Sequence, residues 1–134
     1  MPDLLIEPPL PRAKSRDPFL QTLKLTVGSD PIAQARWLCS TDPAQGVAQL
    51  LDLTVHPDHR RQGHAHRLME ALTQQAQTYF KNQKSRLRRI WTPIEQKHQV
   101  IARSFLMQFG FTHVGTVSEL LRDEDLLVYM RTFD

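Results

Sequence analysis

The feature that most constrains this chain is a change of hydrophobic rhythm on either side of residue 60. Leu50-Leu51-Asp52-Leu53-Thr54-Val55 is a short apolar run that reads as a strand. His56-Pro57-Asp58 interrupts it, and a basic turn follows, Arg60-Arg61-Gln62-Gly63. Ala65, Leu68, Met69, Leu72, Ala76, Tyr79 and Phe80 then recur at helical spacing as one apolar stripe. A strand, a turn and a helix leave the first N–H groups of the helix unpaired, which makes a place for an anion. Arg60 and Arg61 bring charge to that place, and Gly63 allows close backbone approach.

The rest of the chain is organised around this unit. Residues 1–18 hold five of the nine prolines and read as an extended arm, with a short strand at Leu4–Ile6. Residues 19–134 read as one domain. Leu23, Leu25 and Val27 alternate with Thr22, Lys24 and Thr26, which predicts a strand over Phe19–Val27. A second strand over Ile32–Ser40 and a third over Val47–Val55 complete an antiparallel meander, with turns at Gly28–Pro31 and Thr41–Gly46. After the long helix, Leu87–Trp91 reads as a strand parallel to the third. Thr92-Pro93-Ile94-Glu95 has the form of a capping box, so a helix is expected from Pro93 or Gln96 to Phe109. Its expected buried side is Ile101, Phe105, Gln108 and Phe109. Phe111–Val117 and Asp125–Phe133 are the last strands, joined by an acidic link over Ser118–Glu124. Leu126, Val128 and Met130 are expected on the core face of the final strand.

Composition narrows the class. At 134 residues the chain can bury one core, and 40% apolar residues suffice to fill it. No apolar run is long enough to span a membrane, and Leu4-Leu5-Ile6 is cut short by Glu7-Pro8-Pro9, so neither membrane nor secretion is expected. The single cysteine, Cys39, fits a reducing compartment and reads as a buried, inert thiol; the expected location is the cytoplasm. Arg60 to Arg103 carries ten Lys/Arg against two acids. Such a segment is either a solvated face or a surface for a polyanion.

Two sequence motifs carry a resemblance. Arg60-x-x-Gly63-x-Ala65, between an apolar strand and an amphipathic helix, resembles the acyl-CoA signature of the GCN5-related N-acetyltransferases (GNAT). Ala102-x-x-Phe105-x-x-x-Phe109-Gly110-Phe111 resembles that family's second signature, a helix ending in Gly-Phe before a strand. The resemblance covers about residues 19–133. It implies an α/β (α+β) fold: a mixed, mostly antiparallel sheet with helices on both faces, a splayed central parallel pair and a shortened N-terminal part. It implies acetyl-CoA as co-substrate, with no metal, and a small-molecule or peptide amine as acceptor. Leu53, Thr54 and Val55 would meet the pantetheine arm. Arg60, Arg61, Gln62, Gly63, His64, Ala65 and His66 would wrap the diphosphate, with Gln99 and Phe105 also against the cofactor.

The chain departs from the family in its proton-transfer groups. The strand position that often carries a glutamate base is Gln49, and the position of the frequent tyrosine acid is Leu106. Remaining candidates are His56, Asp52 and Tyr129. Strand alternation places Asp52 on the face opposite Gln49. There is also no room for the helical segment between the family's first two strands. A partner subunit would supply that floor in a homodimer; otherwise the acceptor side stays open. His56, His59, His64 and His66 cluster without cysteine, which speaks against zinc. The readings are therefore an N-acetyltransferase working by direct attack of an amine, a non-catalytic acyl-CoA-binding module, and a nucleic-acid-binding domain. The last lacks aromatic residues among its basic ones, apart from Trp91.

Overall fold

The computed structural model describes residues 4–7, 20–40, 42–121 and 123–133. Its elements are β1 (Leu4–Glu7), β2 (Leu20–Val27), β3 (Asp30–Cys39), β4 (Val47–Val55), α1 (His64–Asn82), β5 (Arg89–Glu95), α2 (Gln99–Gln108), β6 (Thr112–Leu121) and β7 (Glu124–Thr132). They form one seven-stranded sheet in the order β1-β2-β3-β4-β5-β7-β6. Apart from Leu4–Glu7, the Pro-rich arm expected over 1–18 lies outside the described residues. The meander of β2, β3 and β4 is antiparallel, as its alternation predicts.

Among the described residues β4 and β5 form the one parallel pair, and their pairing is short. It runs from Val47↔Arg89 to Gln49↔Trp91 and stops there. The cause lies on the other edge of β4. Trp37 pairs with Leu50, but the next residue back along β3, Arg36, pairs with Asp52. Leu51 is therefore an extra residue, a β-bulge, and a bulged strand bends and twists more strongly. Beyond Gln49 the two strands separate. Thr92 Oγ1 donates to Leu50 O at 2.9 Å and ties them at the point of divergence.

The bulge also reverses the parity of the strand. Gln49 pairs with Leu38 and Asp52 with Arg36, and Leu38 and Arg36 share a face of β3. Asp52 therefore lies on the same face as Gln49, contrary to simple alternation.

Both helices cover the same face of the sheet. On α1, Gln75 Oε1 accepts from Trp37 Nε1 at 2.7 Å; on α2, Gln99 Nε2 donates to Tyr129 at 3.4 Å. The pairs Trp37↔Leu50, Ala48↔Ile90 and Thr92↔Tyr129 put those two aromatics on one side. The rings of His66 and Phe109 lie 4.7 Å apart, so the helices meet there. Between them and the sheet sits the core of Trp37, Leu68, Leu72, Phe80, Ile90 and Tyr129. Among the described residues no helix covers the second face, where the resemblance implies one. Residues 8–19, between β1 and β2, lie outside the described residues.

Four local expectations change. Thr92–Glu95 continues β5 instead of starting a helix, and a 3-10 turn, Gln96–His98, precedes α2. Beyond Trp91 this strand has a neighbour on one side only, and such an edge accepts Pro93, which lacks an N–H. The expected link over Ser118–Glu124 is mostly strand, because β6 runs to Leu121 and pairs Leu121↔Glu124. The core face of β7 is Leu127 and Tyr129, set by the pairing of Tyr129 with Thr92. On α2 the buried residue is Leu106, at 3% exposure, flanked by half-buried Ala102, Phe105 and Phe109. Ile101, in the first turn of α2 over the opening between β4 and β5, is 82% exposed, and Gln108, the last residue of α2, is also exposed.

Gly46 holds the start of the parallel pair. Its φ is +64°, and its carbonyl accepts from Arg88 N at 2.7 Å and Arg89 N at 3.2 Å. A Cβ there would stand 2.1 Å from the carbonyl oxygen of Arg86. Gly46→Ala is expected to destabilise the fold by about 3 kcal/mol, the range of a backbone clash added to left-handed strain. Denaturant unfolding of the variant measures this.

Candidate functional site

Separation of β4 from β5 opens a cleft of about 730 Å³. Its walls are β4 from Leu50 to Val55, Thr92–Ile94 of β5, the turn before α1, and the inner side of α2. The turn forms one end. His56-Pro57-Asp58 stops β4, and His56 N donates to Ile32 O at 2.7 Å, anchoring the exit. A 3-10 turn over Pro57–His59 follows. Arg61 and Gly63 then both take positive φ, +61° and +80°, and α1 begins.

This geometry leaves a row of amides free. Arg67 N is the first helical N–H bonded back, to Gly63 O at 3.1 Å. Among the described residues no backbone N–H from Arg61 to His66 has a protein partner. Space in front of Gly63 is open, with nothing within 4 Å of where a Cβ would sit. Convergent free amides at the start of a 19-residue helix favour an anion through their own dipoles and the helix dipole.

Most of the sequence candidates for cofactor contact line this cleft: Leu53, Thr54, Val55, Arg60, Arg61, Gly63, His64, Ala65, His66 and Phe105. Two do not. Gln62 accepts from His64, and Gln99 is turned to Tyr129. Arg60 is at the wall, but its Nε donates to Val55 O at 3.2 Å. Val55 is one of the three residues expected to meet the pantetheine arm. His66 lies 2.6 Å from Glu70.

The three candidates for proton transfer are in different places. His56 faces away from the cleft: its Nδ1 accepts from Asp58 N at 3.2 Å and caps the 3-10 turn. Tyr129 is 1% exposed, beneath α2, with His113 against its ring. Asp52 is on the cleft wall. Both Nε and Nη2 of Arg36 donate to its Oδ2, with Nε at 2.7 Å, while Oδ1 is enclosed and has no partner. The carboxylate raises the pKa of Arg36, first by this hydrogen bond and then by its charge. Arg36 was not legible as a site residue, because only the bulge brings Asp52 opposite it. Thr92, Pro93 and Ile94 were hidden in the same way, since they read as a helix start. No cluster of three metal-ligating side chains exists among the described residues.

His64 is the most enclosed polar group of the site, 6% exposed at the first position of α1. Its pKa is lowered, chiefly by burial and then by the charges of Arg67 and His59. The ring is therefore neutral near pH 7.

The separated strands and the turn at one end of the cleft form a site suited to a ligand that carries an anionic group. The family model for the acetyltransferase (GNAT) domain matches residues 24–113, and the chain belongs to that family. The IAA acetyltransferase from Bacillus cereus ATCC 14579 superposes with a TM-score of 0.75 at 11% identity, over 98% of this chain and 100% of that one. The ribosomal-protein-S18-alanine N-acetyltransferase of Escherichia coli gives 0.71 at 18% identity, over 90% and 73% of the two chains. A protein described as a streptothricin acetyltransferase from Bacillus anthracis, in complex with acetyl coenzyme A, gives 0.70 at 19% identity, over 92% and 68%. These likenesses establish the fold. No curated protein sequence matches the chain significantly.

Proposed function

We propose that the protein is an acetyl-CoA-dependent N-acetyltransferase that passes the acetyl group to a primary amine by direct attack. One observation carries the reading: the free amides from Arg61 to His66 stand at the end of a cleft that only the separation of β4 from β5 creates. The amides and Arg61 would hold the diphosphate. The edge of β4 from Leu53 to Val55 would run along the pantetheine arm, and Phe105 would pack against it. Bound there, acetyl-CoA supplies an activated thioester. A β4 amide at the divergence would polarise its carbonyl, and holding amine and thioester together supplies much of the rate. Of the three proton-transfer candidates, Asp52 is the one at the cleft, so we assign to it the attraction of the amine and the receipt of its proton. The amine acceptors named for the ribosomal-protein and streptothricin neighbours support an amine as the acceptor class here.

Isothermal calorimetry with acetyl-CoA tests the cofactor half. Saturable binding at micromolar concentrations is expected, and no heat at high micromolar concentrations would refute it. Release of free thiol over a panel of amines tests the chemical half. A second reading, a non-catalytic acyl-CoA-binding module, is favoured by Gln49 and Leu106, which carry no transferable proton. Tight binding without thiol release would establish it.

A further inference from the structure

We propose that a second copy of this chain packs on the helix-free face of the sheet, over β5, β7 and β6, about a two-fold axis that runs across the strands. The inference goes beyond acetyl transfer and does not depend on what the cleft binds.

The strand pairing defines the face. Thr92, Leu127 and Tyr129 are buried on the helix side, so their neighbours along each strand point the other way. Trp91 pairs with Met130, Pro93 with Val128, and Leu126 with Val117. These six apolar residues make one patch across three strands. Val117 is 42% exposed and the other five are half-buried. Gly115, opposite Val128, has nothing within 4 Å of where a Cβ would stand, so the space there is open. A contiguous apolar patch that meets water marks an interaction surface.

Charge decides the occupant. Arg89 lies on this face at the start of β5, and Arg86 and Arg88 precede it; all three are exposed. Among the described residues none of them has an acidic partner. Glu95 closes β5 on the same face at the other end, beside Asp123 and Glu124 of the β6–β7 turn. Lys97 and His98 offset part of that acidic end through Glu95. An apolar patch that is basic at one end and acidic at the other is complementary to itself when turned end for end. A two-fold axis across the strands makes that turn. The basic end of each chain then meets the acidic end of its partner, twice, while the apolar centres stack. An axis along the strands would set like charges together. Two sheet faces with nearly aligned strands pack well at about 10 Å.

The rival cover is the chain's own segment between β1 and β2, residues 8–19. Both of its anchors, Glu7 and Leu20, lie at the far edge of the sheet. From β2 to β7 is four strand spacings, about 19 Å. At about 3.4 Å per residue, a path out to β7 and back uses up a segment of that length even when it is straight. Nothing is left to cover β6, where Val117 stands. A second copy has no such limit.

Three short strands make a small interface, so the dimer is expected to be weak, in the micromolar range, and sensitive to salt. Sedimentation velocity of the whole chain over a concentration series should show a reversible monomer–dimer equilibrium, shifted to monomer on going from about 0.1 to about 0.5 M salt. Val117→Lys should abolish the dimer and leave the melting temperature and acetyl-CoA affinity as they were. Arg89→Glu and Glu95→Lys each set like charges opposite one another, and each alone is expected to be monomeric. Mixed in equal amounts, the two should form a heterodimer. One of its end contacts is then the natural pair and the other the same pair reversed. If Val117→Lys fails to fold, this mixing experiment stands in for it. Wild-type protein that stays monomeric at every concentration would overturn the inference, and cross-links from residues 8–19 to β7 would then assign the cover to the chain itself. A dimer that survives Val117→Lys, with no gain on mixing, would also overturn it by placing the contact elsewhere.

Discussion

With valine at position 63, the dissociation constant for acetyl-CoA is expected to rise about 100-fold or more, a loss of roughly 2.7 kcal/mol of binding energy. Gly63 has φ +80°, and nothing lies within 4 Å of its Cβ direction. The folded protein therefore bears only the cost of a β-branched residue in left-handed backbone, roughly 1–2 kcal/mol. The ligand meets something worse, because the new methyl groups fill the space in front of the free amides. Gly63→Ala should fall between the two. Calorimetric titration together with a melting curve separates the effects: a drop of several degrees with near-normal affinity would mean that the anion site lies elsewhere. Binding and folding are separable here because the glycine faces solvent and not the core.

Asp52→Asn is expected to lower kcat/KM for the amine by about 100-fold or more, the usual scale for removing a group that handles a proton. The affinity for acetyl-CoA should stay within a few-fold of wild type, since Asp52 is not part of the turn that carries the free amides. The substitution keeps the shape of the side chain, so lost turnover would report charge and not packing. It also removes the charge opposite Arg36, which is half-exposed and can turn to water. Full turnover in the variant would show that solvent or the acceptor itself carries the proton away. The acylated product and the cofactor off-rate then become the quantities to follow.

Several parts of this molecule were legible in the sequence for clear physical reasons. The stripe from Ala65 to Phe80 is long and periodic, and α1 fills it almost to the residue. Turn residues at Gly28 and Gly46 bracket β3 and β4 correctly. The turn with its unpaired amides was legible because glycine, arginine and a helix start coincide.

What was missed shares one cause: pairing across the sheet overrides local signals. Pro93 after Thr92 looks like a helix start, yet a strand with one open side keeps it. The polar Ser118 looks like loop, yet a long hairpin holds it in β6. On β7 two apolar series alternate, and only the contact of Tyr129 with Thr92 decides which is inward. Ile101 looked like core because its spacing to Phe105 is right, but it lies over the opening between β4 and β5. His64 looked like a turn residue and proved to be almost enclosed.

The extra residue in β4 has a consequence for how the strand tolerates change. Inward positions are Ala48 and Leu50 before it and Leu53 and Val55 after it, even numbers and then odd. The doubled leucine at 50 and 51 is the point where that code slips phase. A map of permitted substitutions along β4 would therefore show two combs out of step, joined where the cavity begins, and a single inserted position rather than any particular side chain would mark the boundary between scaffold and chemistry.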